Sequence, residues 1–243
     1  SFPFTVKEVS GCSRSTAAWG YPSPDPIPMK IEAAELRLIS LPLKFRFETS
    51  FGVQTQRHLI VLTLYGEGLE GYAETVMEFT PHYREETLPG AWALLEELLI
   101  PRVLGQDFAN PEQLWGELAG FRGNKMTKAA LEMAFWDLWC KSLDQPIWKV
   151  LGGVRSEIPV GISLGIEPSL EATLEKVGQG LAEGYKRIKL KIKPGWDVKL
   201  ALAVREAYPE ANLTVDANSA YSLHHIATFK ALDAAGLDYI EQP

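Results

Sequence analysis

The sequence predicts an α/β chain: an α+β domain followed by the first half, about four βα units, of a (β/α)8-type barrel. Three observations predict it. From Met29 the pattern runs strand, strand, then helices, whereas after Gly152-Gly153 it becomes a strict alternation of strands and helices. Charged residues then recur at one point of that alternation: Lys191, Asp216 and Glu241 are spaced 25 residues apart. Finally, a closed barrel needs eight βα units in roughly 250 residues, but residues 158–243 hold only four strands, the last ending at Glu241-Gln242-Pro243. A small open sheet would expose strand edges and apolar helix faces to solvent, so half of a larger barrel is expected instead. The change in texture near residues 152–157 divides the chain into residues 29–152 and 153–243, after a leader of residues 1–28.

The leader is rich in Pro and Ser, has no period, and lacks the basic start and apolar run of a secretory signal. Met29 directly precedes a clean strand pattern and is the expected native start, with residues 1–28 irregular and non-native. Strands are predicted at 30–39, 58–65 and 69–74 by alternation. The intervening Phe47-Glu48-Thr49-Ser50-Phe51-Gly52 is expected to be a mobile loop. Helical periodicity over 84–104 is interrupted by Pro89 and Pro101. Asn110-Pro111 opens a short helix as N-cap and first helical residue. Residues 125–142 make the longest helix, apolar on most faces, with Met126, Met133, Trp136 and Trp139 as core. In the second domain, strands are predicted near 158–164, 187–192, 212–216 and 237–241. The helices between them lie near 170–183, 198–208 and 223–235, capped by Ser169, Asp197 and Ser222 and stopped by Gly184 and Gly236.

Composition excludes several classes. A net charge of −7 without clustered Lys and Arg argues against a nucleic-acid surface. No apolar run reaches membrane-helix length, so no membrane partner is expected. Cys12 and Cys140 have no metal-site spacing and are not expected to pair, which fits a reducing, cytoplasmic setting. His82, His224 and His225 lack metal-ligand partners, and Gly152-Gly153 is a helix stop, not a phosphate loop.

In the segment Arg187-Ile188-Lys189-Leu190-Lys191-Ile192-Lys193 charged and apolar residues alternate, which places Lys189 and Lys191 on one strand face. Alone it could be an amphipathic edge strand with solvated lysines. In a parallel barrel both faces are covered, and an inward lysine pair needs anions nearby. Asp216 and Glu241 end the next two strands, where barrel enzymes assemble their sites. Carboxylates there suit a hard, oxygen-preferring cation such as Mg2+, with Mn2+ a further possibility.

Through Lys189-Leu190-Lys191, Asp216-Ala217-Asn218 and Glu241-Gln242-Pro243, residues 29–243 resemble the enolase superfamily in its muconate-lactonizing branch. Thr49-Ser50-Phe51-Gly52, the helix Lys128-Ala129-Ala130-Leu131-Glu132-Met133-Ala134-Phe135-Trp136-Asp137-Leu138 and Ile162-Ser163-Leu164-Gly165 are most similar to the o-succinylbenzoate synthase and N-acylamino acid (N-succinylamino acid) racemase families. The resemblance implies a capping domain before the barrel and Mg2+-dependent removal of a proton beside a small substrate's carboxylate, leading to dehydration, racemisation or both. It implies Lys191 as the acid/base, and Lys189 as the group that holds the substrate carboxylate and lowers the pKa of its neighbour. It implies Asp216 and Glu241 as metal ligands, Ser163 and Asn218 as substrate contacts, and Thr49 and Phe51 on a loop that closes over the substrate. A third ligand and a second lysine would fall beyond Pro243. The full-length protein would be a homo-oligomer. A muconate cycloisomerase, a dipeptide epimerase or a catalytically inert fragment are the other readings.

Overall fold

The structure, a computed structural model, describes residues 28–243, so residues 1–27 of the leader, Cys12 among them, lie outside the described residues. The chain divides into two compact units: residues up to Leu41 together with His58–Val154, and Pro42–Arg57 together with Arg155–Pro243.

In the first unit, β1 (Met29–Lys30) pairs antiparallel with β5 (Asp107–Phe108), a two-residue ribbon the alternation pattern merges into one longer strand. The main sheet has the order β2 (Ala33–Thr49), β3 (Gly52–Gly66), β4 (Leu69–Thr75). Alternate residues Ile60, Leu62 and Leu64 of β3 are fully buried, as a half-covered sheet requires. The expected break over 84–104 is a nearly unbroken helical run. It comprises α1 (Leu88–Leu94), a π-turn (Leu95–Leu99) and α2 (Ile100–Val103). Pro89 stands in the first turn of α1, where the missing N–H is not needed, and Pro101 directly follows the π-turn, which re-phases the hydrogen bonds ahead of it.

Asn110 caps α3 (Pro111–Leu118) as predicted, accepting from the Gln113 N–H at 2.9 Å. The long helix α4 (Lys125–Ser142) is capped differently. Asn124 is left-handed and makes no side-chain cap. Instead the buried Glu86 carboxylate accepts from the Met126 and Thr127 backbone N–H groups and the Thr127 hydroxyl, at 2.6–2.9 Å. Ala134, Phe135, Leu138 and Trp139 of α4 are core; Met133 is exposed, so the helix is not covered on that side. Its buried face lies directly on β4. A Cβ at Gly71 would stand 2.2 Å from the Ala134 carbonyl oxygen, so only glycine permits this approach. The short α5 (Ile147–Val150) follows.

The second unit is a parallel sheet in sequential order: β6 (Gly161–Leu164), β7 (Arg187–Lys191), β8 (Leu213–Asp216) and β9 (Ile240–Glu241). The strands are linked by α6 (Leu170–Ala182), α7 (Val198–Ala207) and α8 (Ile226–Leu232), the last flanked by single 3-10 turns. Ser169 and Asp197 cap α6 and α7, and Gly184 and Gly236 follow their helices with positive φ. Ile188, Leu190, Leu213 and Val215 bury one sheet face against Val177, Leu200, Ala201 and Val204. Arg205 at the end of α7 donates to the carbonyls of Pro209, Ala211, Ala235 and Gly236, stitching the approaches to β8 and β9.

Residues 47–52 depart from the expected loop. The hairpin strands run to Thr49 and resume at Gly52, leaving only Ser50 and Phe51 as the turn. Its outer part, Pro42–Arg57, packs within the second unit. Among the described residues, no helix is long and apolar enough to cross a membrane.

Candidate active site

The parallel register places the charged residues in rows. Ser163 is level with Lys189, and Lys189 with Thr214; Lys191 is level with Asp216, and Asp216 with Glu241. Alternation turns these side chains away from the face that packs against the helices. Lys191 and Asp216 are buried, Glu241 is partly covered, and Ser163 is exposed. The reading of the lysines as solvated edge residues therefore fails.

The four charges meet. Lys191 Nζ donates to Asp216 Oδ2 at 2.5 Å and to Asn218 Oδ1 at 2.9 Å. Lys189 Nζ lies 2.8 Å from Glu241 Oε2 and 3.6 Å from Asp216 Oδ2. Burial disfavours the Lys189 ammonium, but the hydrogen bond to Glu241 and the charges of Glu241 and Asp216 outweigh it and hold its pKa above the ordinary value. Lys189 is thus not a bare ammonium beside Lys191; both lysines lean on the same Asp216 oxygen.

The loops beyond β8 and β9 are locked to the site. Asp216 Oδ1 accepts from the Asn218 N–H at 2.9 Å. Asn218, Ser219 and Gln242 all adopt positive φ, and the Ser219 N–H donates to the Gln242 carbonyl at 2.7 Å. Thr49 Oγ1 closes its own turn on the Gly52 carbonyl at 3.3 Å, and Phe51 beside it is 44% exposed.

Two further neighbours were not among the predicted site residues. Ser50 Oγ donates to the Ala217 carbonyl at 2.9 Å, and Lys193 Nζ donates to Glu48 Oε1 at 2.9 Å. The Lys193 bond, opposed by burial and aided by Arg46, holds the Glu48 carboxyl below its usual range. Lys193 continues the Lys189–Lys191 alternation, and Ser50 stands in the loop motif read from the sequence.

Residues 33–152 match the mandelate racemase/muconate lactonizing enzyme N-terminal domain, and residues 172–243 match the enolase C-terminal domain-like family. The chain belongs to the enolase superfamily. It is 66% identical over 215 residues to an N-succinylamino acid racemase of Thermus thermophilus and 44% identical over 216 residues to an o-succinylbenzoate synthase of Geobacillus kaustophilus. Each alignment covers 88% of this chain; the chain spans about 58% of the length of these relatives. A crystal structure of an enolase-superfamily member from Listeria innocua superposes with a TM-score of 0.83 at 36% identity, covering 88% of this chain and 58% of that one.

Enolase-superfamily members typically use Mg2+, and the donors of this superfamily chain fit it. Asp216 and Glu241 offer carboxylate oxygens to a common cation, which here is the Lys189 ammonium. Mg2+ takes one or two protein carboxylates and completes its shell with water and substrate oxygens. Among the described residues no group of three or more His, Cys, Asp or Glu could hold a metal.

Proposed function

We propose that the chain supplies the cation-binding and proton-transfer groups of an enzyme that removes the proton alpha to a carboxylate, with an N-succinylamino acid as substrate and racemisation as outcome. The observation that carries this reading is the meeting of Lys189, Lys191, Asp216 and Glu241 on one face at successive strand ends. The 66% identity to a racemase, against 44% to a synthase, supports racemisation over dehydration. Both reactions begin with the same proton removal, so the roles of the residues do not depend on that choice.

Asp216 and Glu241 would hold Mg2+. When bound, the cation supplies positive charge where the substrate carboxylate gains negative charge. Lys191 would take the α-proton and return it. Its contacts with Asp216 Oδ2 and Asn218 Oδ1 fix the position of its Nζ, which is the geometric need of a general base. With Glu241 holding the cation, the Lys189 ammonium would be released to pair with the substrate carboxylate. Ser163, exposed and level with Lys189, and Asn218 would contact the substrate, with Thr49 and Phe51 bordering it from the hairpin tip.

The test is a chimera in which residues 29–243 replace the matching segment of the Thermus thermophilus racemase. With Mg2+ in D2O it should exchange the α-proton of N-succinyl amino acids. The K191A chimera should lose that exchange. Full exchange by K191A would remove Lys191 from its proposed role. The 243-residue chain alone, which spans about 58% of these relatives' length, should be inactive.

A further inference from the structure

The hairpin tip is tied to three consecutive strand ends. After β6, the Ile166 N–H donates to the Glu48 carbonyl at 2.9 Å. After β7, Lys193 Nζ donates to Glu48 Oε1 at 2.9 Å. After β8, the Ala217 carbonyl accepts from Ser50 Oγ at 2.9 Å. Gly165 makes the first tie possible: a Cβ there would lie 3.2 Å from both the Glu48 nitrogen and oxygen and 3.3 Å from the Phe47 ring.

Of the three ties, the one through Lys193 joins side chains of opposite charge. Glu48 is mostly covered, its side chain 16% exposed, while that of Lys193 is 40% exposed. The Lys193 backbone is itself pinned, bridging to Trp196 in both directions at 3.2 and 2.8 Å around Gly195 at φ +82°. Glu48 also pairs with Arg46 of its own strand. Losing Lys193 therefore leaves the carboxylate neutralised and removes only the link between tip and strand end.

We infer that Lys193 is a positioning residue: by clasping Glu48 it holds the hairpin tip on the ends of β6, β7 and β8, and so sets where Thr49 and Phe51 stand for substrate. The consequence for substrate rests on the function proposed above; the clasp itself does not. Lys193 makes no contact with the reacting groups and acts through Glu48.

The Ile166 amide reports the clasp directly, because its acceptor is the Glu48 carbonyl. Hydrogen exchange on the 243-residue chain should be roughly fivefold faster at Ile166 in K193M and E48Q, the scale of a partly exposed ion pair. K193R should restore it. G165A, which crowds Glu48 without touching the charges, should also speed it. The Ile192 amide, bonded to the Asp216 carbonyl at 2.9 Å, should not change. Unaltered exchange at Ile166 in K193M and E48Q would overturn the clasp. In the chimera, K193M should raise KM several-fold with kcat held within about twofold, and K193R should reverse it. A fall in kcat at unchanged KM would overturn the substrate-positioning role. A chimera with native residues that fails to turn over counts against the proposed function, while exchange at Ile166 still decides the clasp.

Discussion

The two units treat buried charge in opposite ways. In the first, Glu86 and Lys128 are both buried, and among the described residues neither forms an ion pair. Glu86 is satisfied by the orphan N–H groups at the start of α4. Lys128 donates to the Phe121 carbonyl at 2.9 Å and lies over the Trp115 ring at 5.1 Å. In the second unit, Lys191 and Asp216 are satisfied by each other, with Lys189 and Glu241 beside them. A buried charge that answers to backbone and rings holds a fold together. Buried charges that answer to one another, at the ends of successive strands, can exchange partners with a cation and a substrate. Burial alone does not separate these cases; the chemistry of the partners does.

This contrast can be broken in several ways. The largest effect expected is on turnover: K191A in the chimera should reduce α-proton exchange by about a thousandfold, the usual scale for a positioned base. Next, D216N strands the buried Lys191 ammonium and should destabilise the second unit by about 3 kcal/mol, read from urea unfolding. Pairing it with K191M should recover most of that loss, because the unpaired charge goes too. If the double variant is no more stable than D216N, mutual neutralisation is not what makes this region tolerable.

E86Q should cost less, about 1–2 kcal/mol, since it weakens a cap and leaves no stranded partner of opposite charge. Its loss should fall on the first unit and leave Lys191 and Asp216 undisturbed. The smallest effect concerns pH. Glu48 has a folded pKa below its ordinary 4.5, so the stability it contributes is fully present above the ordinary carboxylate range and is lost as pH falls through the depressed value. The stability gap between native protein and E48Q should be below about 1 kcal/mol near neutrality and close in acid. A gap that widened on acidification would reverse the assigned sign.

What could be read beforehand was what has a period or a local chemistry. Strand alternation, helical spacing and the 25-residue recurrence of Lys191, Asp216 and Glu241 were all in the sequence. So were the caps at Asn110, Ser169 and Asp197, because each acts within three residues of itself. Local spacing can carry such features since a strand turns its side chains every second residue and a cap bonds its own helix. The tertiary structure decided the rest. Glu86 reaches α4 from about 40 residues away, and Glu48 meets Lys193 across 145. The extension of the hairpin to Thr49 and its placement with the second unit depend on contacts with Gly165, Ile166 and Ala217, all more than 100 residues from the hairpin tip in sequence. Such contacts leave no mark in periodicity, because their energy comes from groups that only folding brings within hydrogen-bonding distance.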